Sequence, residues 1–484
     1  MTSLWFNGCT NLLCLPPILV DHFYFAIMLI ANVLNCLVAL ASIYRVIRRQ
    51  SFCRPHGEND DKLPSDGTAP AVTVVVACYL PNEQVIIEST IEHILLQLDW
   101  PSDLTLHIVY NTPSALPFEE TLRRLEGCHY APRRKLRITK VDASTSKAEN
   151  LNHILPTITD EFVVLYDADH HPDTNSLVRL ASALLRSEYV AMQGSTYIRN
   201  KQASLLARAV DAEFFVTHFI YFPAMEILGG TGYFGGSNAL WRTRVLQQYP
   251  FDRARLTEDV DVSARALLDG HRIGFCPKAR SGELAPAGPR ALISQRLRWF
   301  MGWEQVTHAY YWKVFVSGLS LRAKAGFCYL FHLRWLLLFA AALAAVINPV
   351  ITSPFVYPLT SWTMEFQVCV MTAVVLYGFV ALLALHHSNV YEERRRQPMA
   401  MFSILIFFII GWLYVIIHIT LQTIAFVKVA LGREGRWEVT ARLYSGTSPA
   451  VRLGAVAGTL AEPLLPAAQA PSGRARTTVV PETV

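Results

Sequence analysis

Short apolar runs alternate with helical patterns through the middle of the chain. The uncharged run 72–79 (VTVVVACY) predicts a buried strand, and apolar positions at helical spacing within 84–97 predict the helix after it. The same alternation predicts strands over 104–110, 136–141 and 162–166, and helices over 117–125 and 147–155. This order is typical of a mostly parallel α/β sheet with helices on both faces, which binds ligands beyond the carboxyl ends of its strands.

Four longer apolar runs reach the roughly 20 residues that a membrane-spanning helix needs. They cover residues 23–44, 327–350, 364–385 and 399–429. Arginines directly after the first run place its carboxyl end in the cytosol. We therefore expect an integral, multi-pass membrane protein with a retained amino-terminal anchor. A cleaved signal peptide is the competing interpretation of the first run.

Composition narrows the class of protein further. With 52% apolar and 17% charged residues, most of the chain can bury a core, which excludes disorder as its general state. The nine cysteines form no CxxC pair, which excludes a small disulfide scaffold. A net charge of +5 gives no argument for a nucleic-acid partner, and we expect none.

An acidic pair follows the predicted strand 162–166 directly. Asp167 and Asp169 are one residue apart, so their carboxylates can share a hard divalent cation. Mg²⁺ and Mn²⁺ prefer such oxygen ligands and commonly bind together with substrate phosphates. The alternative is a structural role, because Asp also favours turns and helix caps.

A second acidic motif, TED, precedes a helical pattern over 260–268. A carboxylate of this motif, from Glu258 or Asp259, could act as a general base that takes the proton of an acceptor hydroxyl. The alternative is that Thr257 caps the helix and that the two acidic residues occupy its first turn.

Three further segments carry candidate binding residues. In 295–299 (QRLRW), the fork of Arg298 can bind a diphosphate and the flat face of Trp299 suits a sugar ring. This segment could equally lie as an amphipathic helix on the membrane surface. Lys147 begins a helix, where it suits phosphate binding. Gly236 and Ser237 form either a simple turn or a close approach to a ligand.

In this order, the motifs SKAENLN, DAD, FGGSN, TED and QRLRW resemble those of membrane-integrated family 2 glycosyltransferases, such as cellulose, hyaluronan and curdlan synthases. The resemblance covers roughly residues 70–305. It implies a GT-A-type, nucleotide-sugar-binding α/β domain, combined with α-helical transmembrane segments. It also implies transfer with inversion, which gives a β-linkage.

For the donor, the resemblance implies that Asp167 and Asp169 bind Mg²⁺ or Mn²⁺ and the diphosphate. Lys147, Gln295 and Arg298 would also reach the phosphates. A UDP-sugar is the leading candidate for the donor.

For the acceptor, the resemblance implies that Asp259, beside Glu258, is the general base. Trp299 would stack on the acceptor sugar, and Gly236 and Ser237 would line the acceptor site. The acceptor itself would be a polysaccharide or a glycolipid.

Two positions lie outside these motifs. The family usually carries an acidic pair after the second strand, where this chain has Asn111, whose amide could still bond a uracil edge. Glu213 lies in an aromatic segment, 203–228, and is a candidate acceptor contact. We expect part of that segment at the membrane, with a core helix of the soluble domain as the alternative.

The segment 437–442 (WEVTAR) resembles the gating loop of cellulose synthases, with Trp437, Thr440 and Arg442 as its candidate residues. This match favours a cytosolic tail and a processive enzyme. Basic residues flank both of the last apolar runs, so the tail is cytosolic only if 399–429 turns back on itself.

The expected organisation has six regions. They are an anchor helix over 1–50, a linker over 51–70, a cytosolic catalytic domain with interfacial helices over 71–305, transmembrane helices over 306–430, a gating segment over 431–444 and a disordered tail over 445–484.

These inferences together predict an inverting, metal-dependent, processive β-glycosyltransferase that extends a polysaccharide at a lipid bilayer. We expect it in the plasma membrane, with the Golgi as the alternative. A non-processive enzyme that glycosylates a membrane lipid, as in ceramide glucosyltransferase-like proteins, is the nearest rival function. A catalytically inactive membrane scaffold or a transporter is the rival from another class.

Overall fold

The computed structural model describes residues 69–332 without a break. It also describes residues 26, 29, 30, 33, 34, 36–44, 63, 335 and 417–433. The described residues of the first apolar run are helical, as are residues 417–430. The run 364–385, most of the other two late runs, most of the linker, and residues 434–484 lie outside the described residues. In the part of the chain that is described, no helix combines the length and the apolar character needed to cross a membrane.

An eight-stranded mixed sheet forms the centre of the domain. Its strands are β1 (Val72–Tyr79), β2 (Leu104–Asn111), β3 (Arg134–Lys140), β4 (Phe162–Asp167), β5 (His171–Pro172), β6 (Ala191–Ile198), β7 (Ala239–Arg242) and β8 (Ile273–Glu283). Their order across the sheet is β3-β2-β1-β4-β7-β6-β8-β5. Strands β1 to β4 are mutually parallel, which confirms the predicted α/β class.

Helices cover both faces of this sheet. They are α1 (Leu80–Glu83), α2 (Ile87–Gln97), α3 (Phe118–Glu126), α4 (Lys147–Ile154), α5 (Ser176–Leu185), α6 (Leu205–Val216), α7 (Phe222–Gly229), α8 (Thr243–Leu246), α9 (Glu258–Leu268), α10 (Pro289–Val316) and α11 (Leu321–Phe327). Alternate side chains of β1 point to opposite faces. Val74 and Val76 therefore join the core beneath α2 and α5, whereas Val75 and Ala77 join the core beneath α4 and α9.

The sheet becomes mixed after β4. Strand β7 is inserted antiparallel between β4 and β6, and β6 then pairs in parallel with β8. The β6–β8 register shifts between Gly194 and Ser195, where the Asn238 amide donates to the carbonyls of Ser195 (2.8 Å) and Ala279 (3.0 Å). A Cβ at position 194 would lie 2.3 Å from the Ala279 carbonyl oxygen, so only glycine fits there.

The aromatic segment after β6 belongs largely to the domain core. Helix α6 buries Val210 and Phe215, although Leu205 at its start is 82% exposed. A π-helical turn, Thr217–Tyr221, joins α6 to α7. Helix α10 then runs without interruption through residues 305 and 306, so the expected domain boundary falls inside a helix.

Candidate active site

A cavity of about 280 Å³ lies at the carboxyl ends of β1, β2 and β4. Twelve of the residues singled out in the sequence line it: Asn111, Lys147, Asp167, Asp169, Glu213, Gly236, Ser237, Glu258, Asp259, Gln295, Arg298 and Trp299. The three candidate gating residues, Trp437, Thr440 and Arg442, lie outside the described residues. The sheet edge therefore brings together motifs that are well separated in the chain.

Lys147 occupies the first position of α4, whose amino-terminal turn is capped by the Ser146 hydroxyl. Its ammonium group forms an ion pair with the carboxylate of Asp167 and donates to the Gly236 carbonyl at 2.9 Å. Burial alone would lower the pKa of Lys147, but the negative charges of Asp167 and Glu258 outweigh it and raise that pKa. Lys147 therefore remains a cation in the cavity.

The two carboxylates at the end of β4 are held by backbone and side-chain contacts. The Asp167 N–H donates to the Ser237 hydroxyl at 3.0 Å, and the Asp169 carboxylate accepts the Leu284 N–H at 3.1 Å. Asp169 is only 2% exposed. Asp169 lies in the turn after β4, and the residue that follows β8 thus fixes the position of its carboxylate.

The oxygen chemistry of Asp167 and Asp169 suits Mg²⁺ or Mn²⁺. Among the residues described, no group of three or more His, Cys, Asp or Glu side chains is arranged to hold a metal ion. Two carboxylates supply only part of a six-oxygen shell, and Mg²⁺ normally completes such a shell with phosphate oxygens and water. The residues therefore fit a cation that arrives with a phosphate-bearing substrate.

The glycine segment makes a close approach within the protein itself. Gly236 has a φ of +86°, and a Cβ there would lie 2.9 Å from Oδ2 of Asp259. The Gly235 N–H donates to the Gln193 side chain at 2.9 Å, which anchors the turn to β6. Gly236 thus lets the turn bring its carbonyl to Lys147 while leaving room for the Asp259 carboxylate.

Asp259 lies in the first turn of α9, which begins at Glu258. Burial, reinforced by the neighbouring Glu258 charge, raises the pKa of Asp259 to about 7 against the opposing effect of Lys147. Asp259 can therefore take up and release a proton near neutral pH. Thr257 occupies the N-cap position of this helix, with Glu258 and Asp259 in its first turn, but the Thr257 side chain makes no capping hydrogen bond.

The QRLRW segment lies on α10, beside the acidic helix α9. Arg298 donates to the Leu256 carbonyl at 3.2 Å, directly before the TED motif. Gln295 accepts a hydrogen bond of 2.7 Å from Arg296, and the guanidinium of Arg296 lies 4.1 Å from the centre of the Trp299 ring. All three motif residues that line the cavity are thus oriented by contacts with backbone or with Arg296.

Sequence reasoning missed Arg296, which is 2% exposed. Its Nε and Nη2 donate to the two carboxylate oxygens of Glu213 at 3.1 and 2.7 Å. Burial alone would raise the pKa of Glu213, but the charges of Arg296 and His418 lower it to about 2. Glu213 lines the cavity, as expected of an acceptor contact, yet both its oxygens are engaged by Arg296.

Sequence reasoning also missed an aromatic wall of the cavity. The Tyr233 ring stacks on Phe222 at 4.5 Å and meets Trp303 edge-on at 5.4 Å, while His218 stacks on Phe222 at 5.0 Å. Trp303 follows Trp299 at helical spacing, a signal that could have placed both on one face of α10. His218 and Phe222 lie in the aromatic segment 203–228, but nothing in the sequence places them or Tyr233 at the cavity.

The structure gives Asn111 a definite internal role. Its amide donates to the Ser144 carbonyl at 3.0 Å and accepts from the Asn150 amide at 2.8 Å. Asn111 is buried at the cavity wall. It therefore joins the end of β2 to the loop that leads into α4, and so helps to position Lys147.

Comparisons with known proteins agree with this geometry. Residues 70–302 match the model of the family described as glycosyltransferase like family 2. The chain is 28% identical over 254 residues to a probable glucomannan 4-beta-mannosyltransferase 7 of Oryza sativa subsp. japonica, a match that covers 50% of this chain and 42% of that protein. It is 25% identical to cellulose synthase 2 of Novacetimonas hansenii, over 55% of this chain and 16% of that protein.

Two further matches cover a larger share of the matched protein. The chain is 24% identical to a beta-monoglucosyldiacylglycerol synthase of Trichormus variabilis, over 66% of this chain and 67% of that protein. Among solved structures, the mannosyltransferase PcManGT from Pyrobaculum calidifontis, in complex with GDP-Man and Mn²⁺, is 19% identical with a TM-score of 0.47 and covers 80% of this chain and 99% of that one.

The matched residues span less than half of the rice protein and a sixth or so of the cellulose synthase. The family match nevertheless coincides with the strands, helices and motifs that build the cavity. Residues 70–302 are therefore similar to the glycosyltransferase like family 2, and they fold into a mixed, mostly parallel sheet that carries the candidate site at its edge.

Proposed function

We propose that the protein is an inverting, processive glycosyltransferase that forms β-linkages in a polysaccharide at a membrane. Its donor would be a nucleotide sugar, with a UDP-sugar as the leading candidate, and its cation Mg²⁺ or Mn²⁺. The observation that carries the proposal is that Asp167, Asp169, Asp259 and Trp299 line one cavity. A metal-binding pair, a base and a sugar-stacking ring are the parts that such a transfer requires.

Asp259 would act as the general base. Its carboxylate takes the proton of an acceptor hydroxyl while the hydroxyl oxygen bonds to the anomeric carbon of the donor sugar. The bond from that carbon to the nucleoside diphosphate breaks on the opposite face, so an α-linked donor gives a β-linked product. A pKa of about 7 suits this role, because the base is then about half ionised at neutral pH and still able to hold a proton.

Lys147 and Arg298 would stabilise the departing diphosphate. Both line the cavity, and Lys147 remains positively charged beside Asp167. Fixed cations of this kind stabilise charge that develops on a leaving group, without reorganisation at the moment of reaction. When bound, the divalent cation held by Asp167 and Asp169 would supply further charge neutralisation at the phosphates.

The acceptor would lie against the aromatic wall. Trp299, Trp303 and Tyr233 all line the cavity, and flat apolar rings suit the faces of pyranose sugars. Support for a polymeric product comes from the relatives named as cellulose and glucomannan enzymes, and from the WEVTAR segment. The membrane location rests on the apolar runs of the sequence.

A lipid acceptor is the second candidate. The match to a beta-monoglucosyldiacylglycerol synthase covers about two thirds of both chains, a larger share than the matches to the polysaccharide enzymes. An enzyme of this kind adds one sugar to a lipid and needs no processive extension.

The length of the labelled product separates the two candidates. The full chain in lipid nanodiscs would receive radiolabelled UDP-glucose, UDP-N-acetylglucosamine or GDP-mannose, with Mn²⁺, Mg²⁺ or EDTA. We expect label in a long product that resists lipid extraction and is digested by a β-specific glycosidase, with none formed in EDTA. A single labelled sugar in the lipid extract would establish the second candidate, and an α-linked product would contradict inversion.

A further inference from the structure

We propose that Arg296 is a positioning residue that sets the orientation of the Trp299 indole, and that Glu213 acts through Arg296 instead of contacting the acceptor. The role of Trp299 as the acceptor-stacking ring rests on the proposed function. The orientation of the ring by Arg296 is a separate claim with its own measurement.

The first support is the way Arg296 is held. Its guanidinium, which is buried, forms a two-pronged contact at 3.1 and 2.7 Å with Glu213, whose side chain is 20% exposed at the cavity wall. A bidentate arginine–carboxylate pair fixes the plane of the guanidinium as well as its distance. Because Glu213 belongs to α6 and Arg296 to α10, this pair also fixes the two helices relative to each other.

The second support is what the fixed guanidinium touches. Its centre lies 4.1 Å from the centre of the Trp299 ring, well inside the range of a cation–π contact. The centre of the Phe214 ring lies 5.8 Å from the same guanidinium. A planar cation stacked on an indole restricts the rotamers of that indole, so Trp299 presents a defined face to the cavity.

The remaining terminal nitrogen of Arg296 donates to the Gln295 side chain at 2.7 Å. One buried side chain therefore contacts two residues of the QRLRW segment that line the cavity. A lysine could keep the positive charge next to Glu213, but it lacks both the fork and the stacking plane. Arg296→Lys therefore keeps the positive charge beside Glu213 but removes the group that orients Trp299, so this variant tests orientation apart from charge.

A third element reaches the same pair. Nε2 of His418 lies 3.5 Å from the Glu213 carboxylate, and its ring meets Phe300 edge-on at 5.6 Å. His418 belongs to the segment 417–433, which is far from α10 in the chain. The carboxylate of Glu213 is accordingly occupied by protein groups from two directions, which suits a supporting role and leaves acceptor contact to Trp299.

The test is a double-mutant cycle on the full-length chain. Arg296→Lys, Trp299→Phe and the double variant would be compared with wild type, and Arg290→Lys would serve as the matched control because Arg290 is exposed at the start of the same helix. The acceptor KM, kcat and the affinity for nucleoside diphosphate with Mn²⁺ would be measured for each. We expect Arg296→Lys to reduce kcat/KM for the acceptor about 10-fold, as loss of a buried cation–π contact implies, with nucleotide affinity within about 2-fold of wild type.

The cycle decides whether Arg296 acts through Trp299. We expect Arg296→Lys to have little further effect when Trp299 is already Phe, because coupled residues are not additive. Multiplying effects, or an equal loss of nucleotide affinity and acceptor use, would overturn the proposal.

A second measurement needs no turnover. The fluorescence of Trp299, taken as the difference between each protein and its Trp299→Phe partner, should become more accessible to acrylamide in Arg296→Lys and stay unchanged in Arg290→Lys. Unchanged quenching in Arg296→Lys would contradict the proposal. If wild type transferred no sugar, the proposed function would fail while this measurement still decided the role of Arg296. Should Arg296→Lys not fold, Glu213→Gln provides the same comparison, since it releases the fork and retains the arginine.

Discussion

The two halves of the described domain position the side chains that line the cavity in different ways. In residues 69–185, functional side chains stand at the ends of parallel strands or at the start of a capped helix, and Lys147 meets Asp167 only 20 residues away. In residues 186–332, the decisive contacts join distant segments, such as Glu213 and Arg296, which are 83 residues apart. The first kind of placement follows from local pattern and sheet geometry, whereas the second depends on tertiary packing.

The largest expected effect comes from the second half. Asp259→Asn should lower the turnover number about 10²- to 10⁴-fold, the usual contribution of a general base, because the amide cannot accept the proton of the acceptor. Sugar transfer from a labelled donor measures this. Asp252→Asn is the matched control, since Asp252 lies in an exposed turn before α9 and its side-chain oxygen accepts the Ala254 N–H at 2.9 Å, a contact that asparagine can retain. Equal losses in the two variants would remove Asp259 from the mechanism.

A pair of glycine variants tests the close approach between the glycine turn and α9. Gly236 and Gly270 have nearly the same φ, +86° and +85°, but only Gly236 has an active-site carboxylate where a Cβ would go. Gly270→Ala should cost about 1–2 kcal/mol of stability and leave activity unchanged. Gly236→Ala should cost a similar amount in backbone strain and also displace Asp259, lowering activity about 10- to 100-fold.

Thermal unfolding and sugar transfer, measured on both variants, separate strain from the active-site contact. If the two variants lost activity equally, backbone strain alone would explain the effect. The close approach of the turn to Asp259 would then have no catalytic consequence.

The pH profile tests the raised pKa of Asp259. Because the base must be ionised, transfer should rise about 10-fold per pH unit below 7 and level off above it. The raised pKa also means that the folded state binds this proton more tightly than the unfolded chain, so its stabilising contribution is lost as pH rises toward and through 7. The melting temperature of wild type relative to Asp259→Asn should therefore fall between pH 5 and pH 8. A profile that is flat from pH 5 to 8 would contradict the assignment.

The smallest effect is expected at an exposed ion pair. Arg253 and Glu149 meet at 2.8 Å, but the Arg253 side chain is 73% exposed, in contrast to the buried Arg296. Exposed pairs contribute little to stability because water screens them, so Arg253→Gln should leave both the unfolding free energy and sugar transfer essentially unchanged. Denaturant unfolding measures the free energy. A loss of sugar transfer by Arg253→Gln as large as the loss expected for Arg296→Lys would mean that burial does not distinguish the two pairs.

The sequence predicts the first half of the domain closely. The predicted strand 72–79 matches the observed Val72–Tyr79, and the helix predicted over 147–155 matches Lys147–Ile154. These elements have strong local signals: uncharged β-branched runs and a Ser cap before an apolar periodicity. The position of Asp167 at a strand end follows from them directly.

The second half could be predicted only in part. Its motifs are visible in the chain, but the antiparallel insertion of Ala239–Arg242 between two strands has no local signature, since the run has only four residues. The environment of Arg296 is equally unpredictable from the sequence, because its partner Glu213 lies on another helix. Glu213, a candidate acceptor contact in the sequence, forms an ion pair with the buried Arg296 in the structure.

Nucleotide binding tests most directly whether Asp169, in the first half, binds the cation and nucleotide while Asp259, in the second half, does not. Calorimetric titration of the full chain with UDP or GDP, with and without Mn²⁺, would compare wild type with Asp169→Asn and Asp259→Asn. Asparagine at 169 can still accept the Leu284 N–H, so the variant removes charge and leaves the backbone contact. We expect Asp169→Asn to lose cation-dependent affinity by about 100-fold, and Asp259→Asn to bind nucleotide as wild type does. Tight, cation-dependent binding by Asp169→Asn would contradict this expectation.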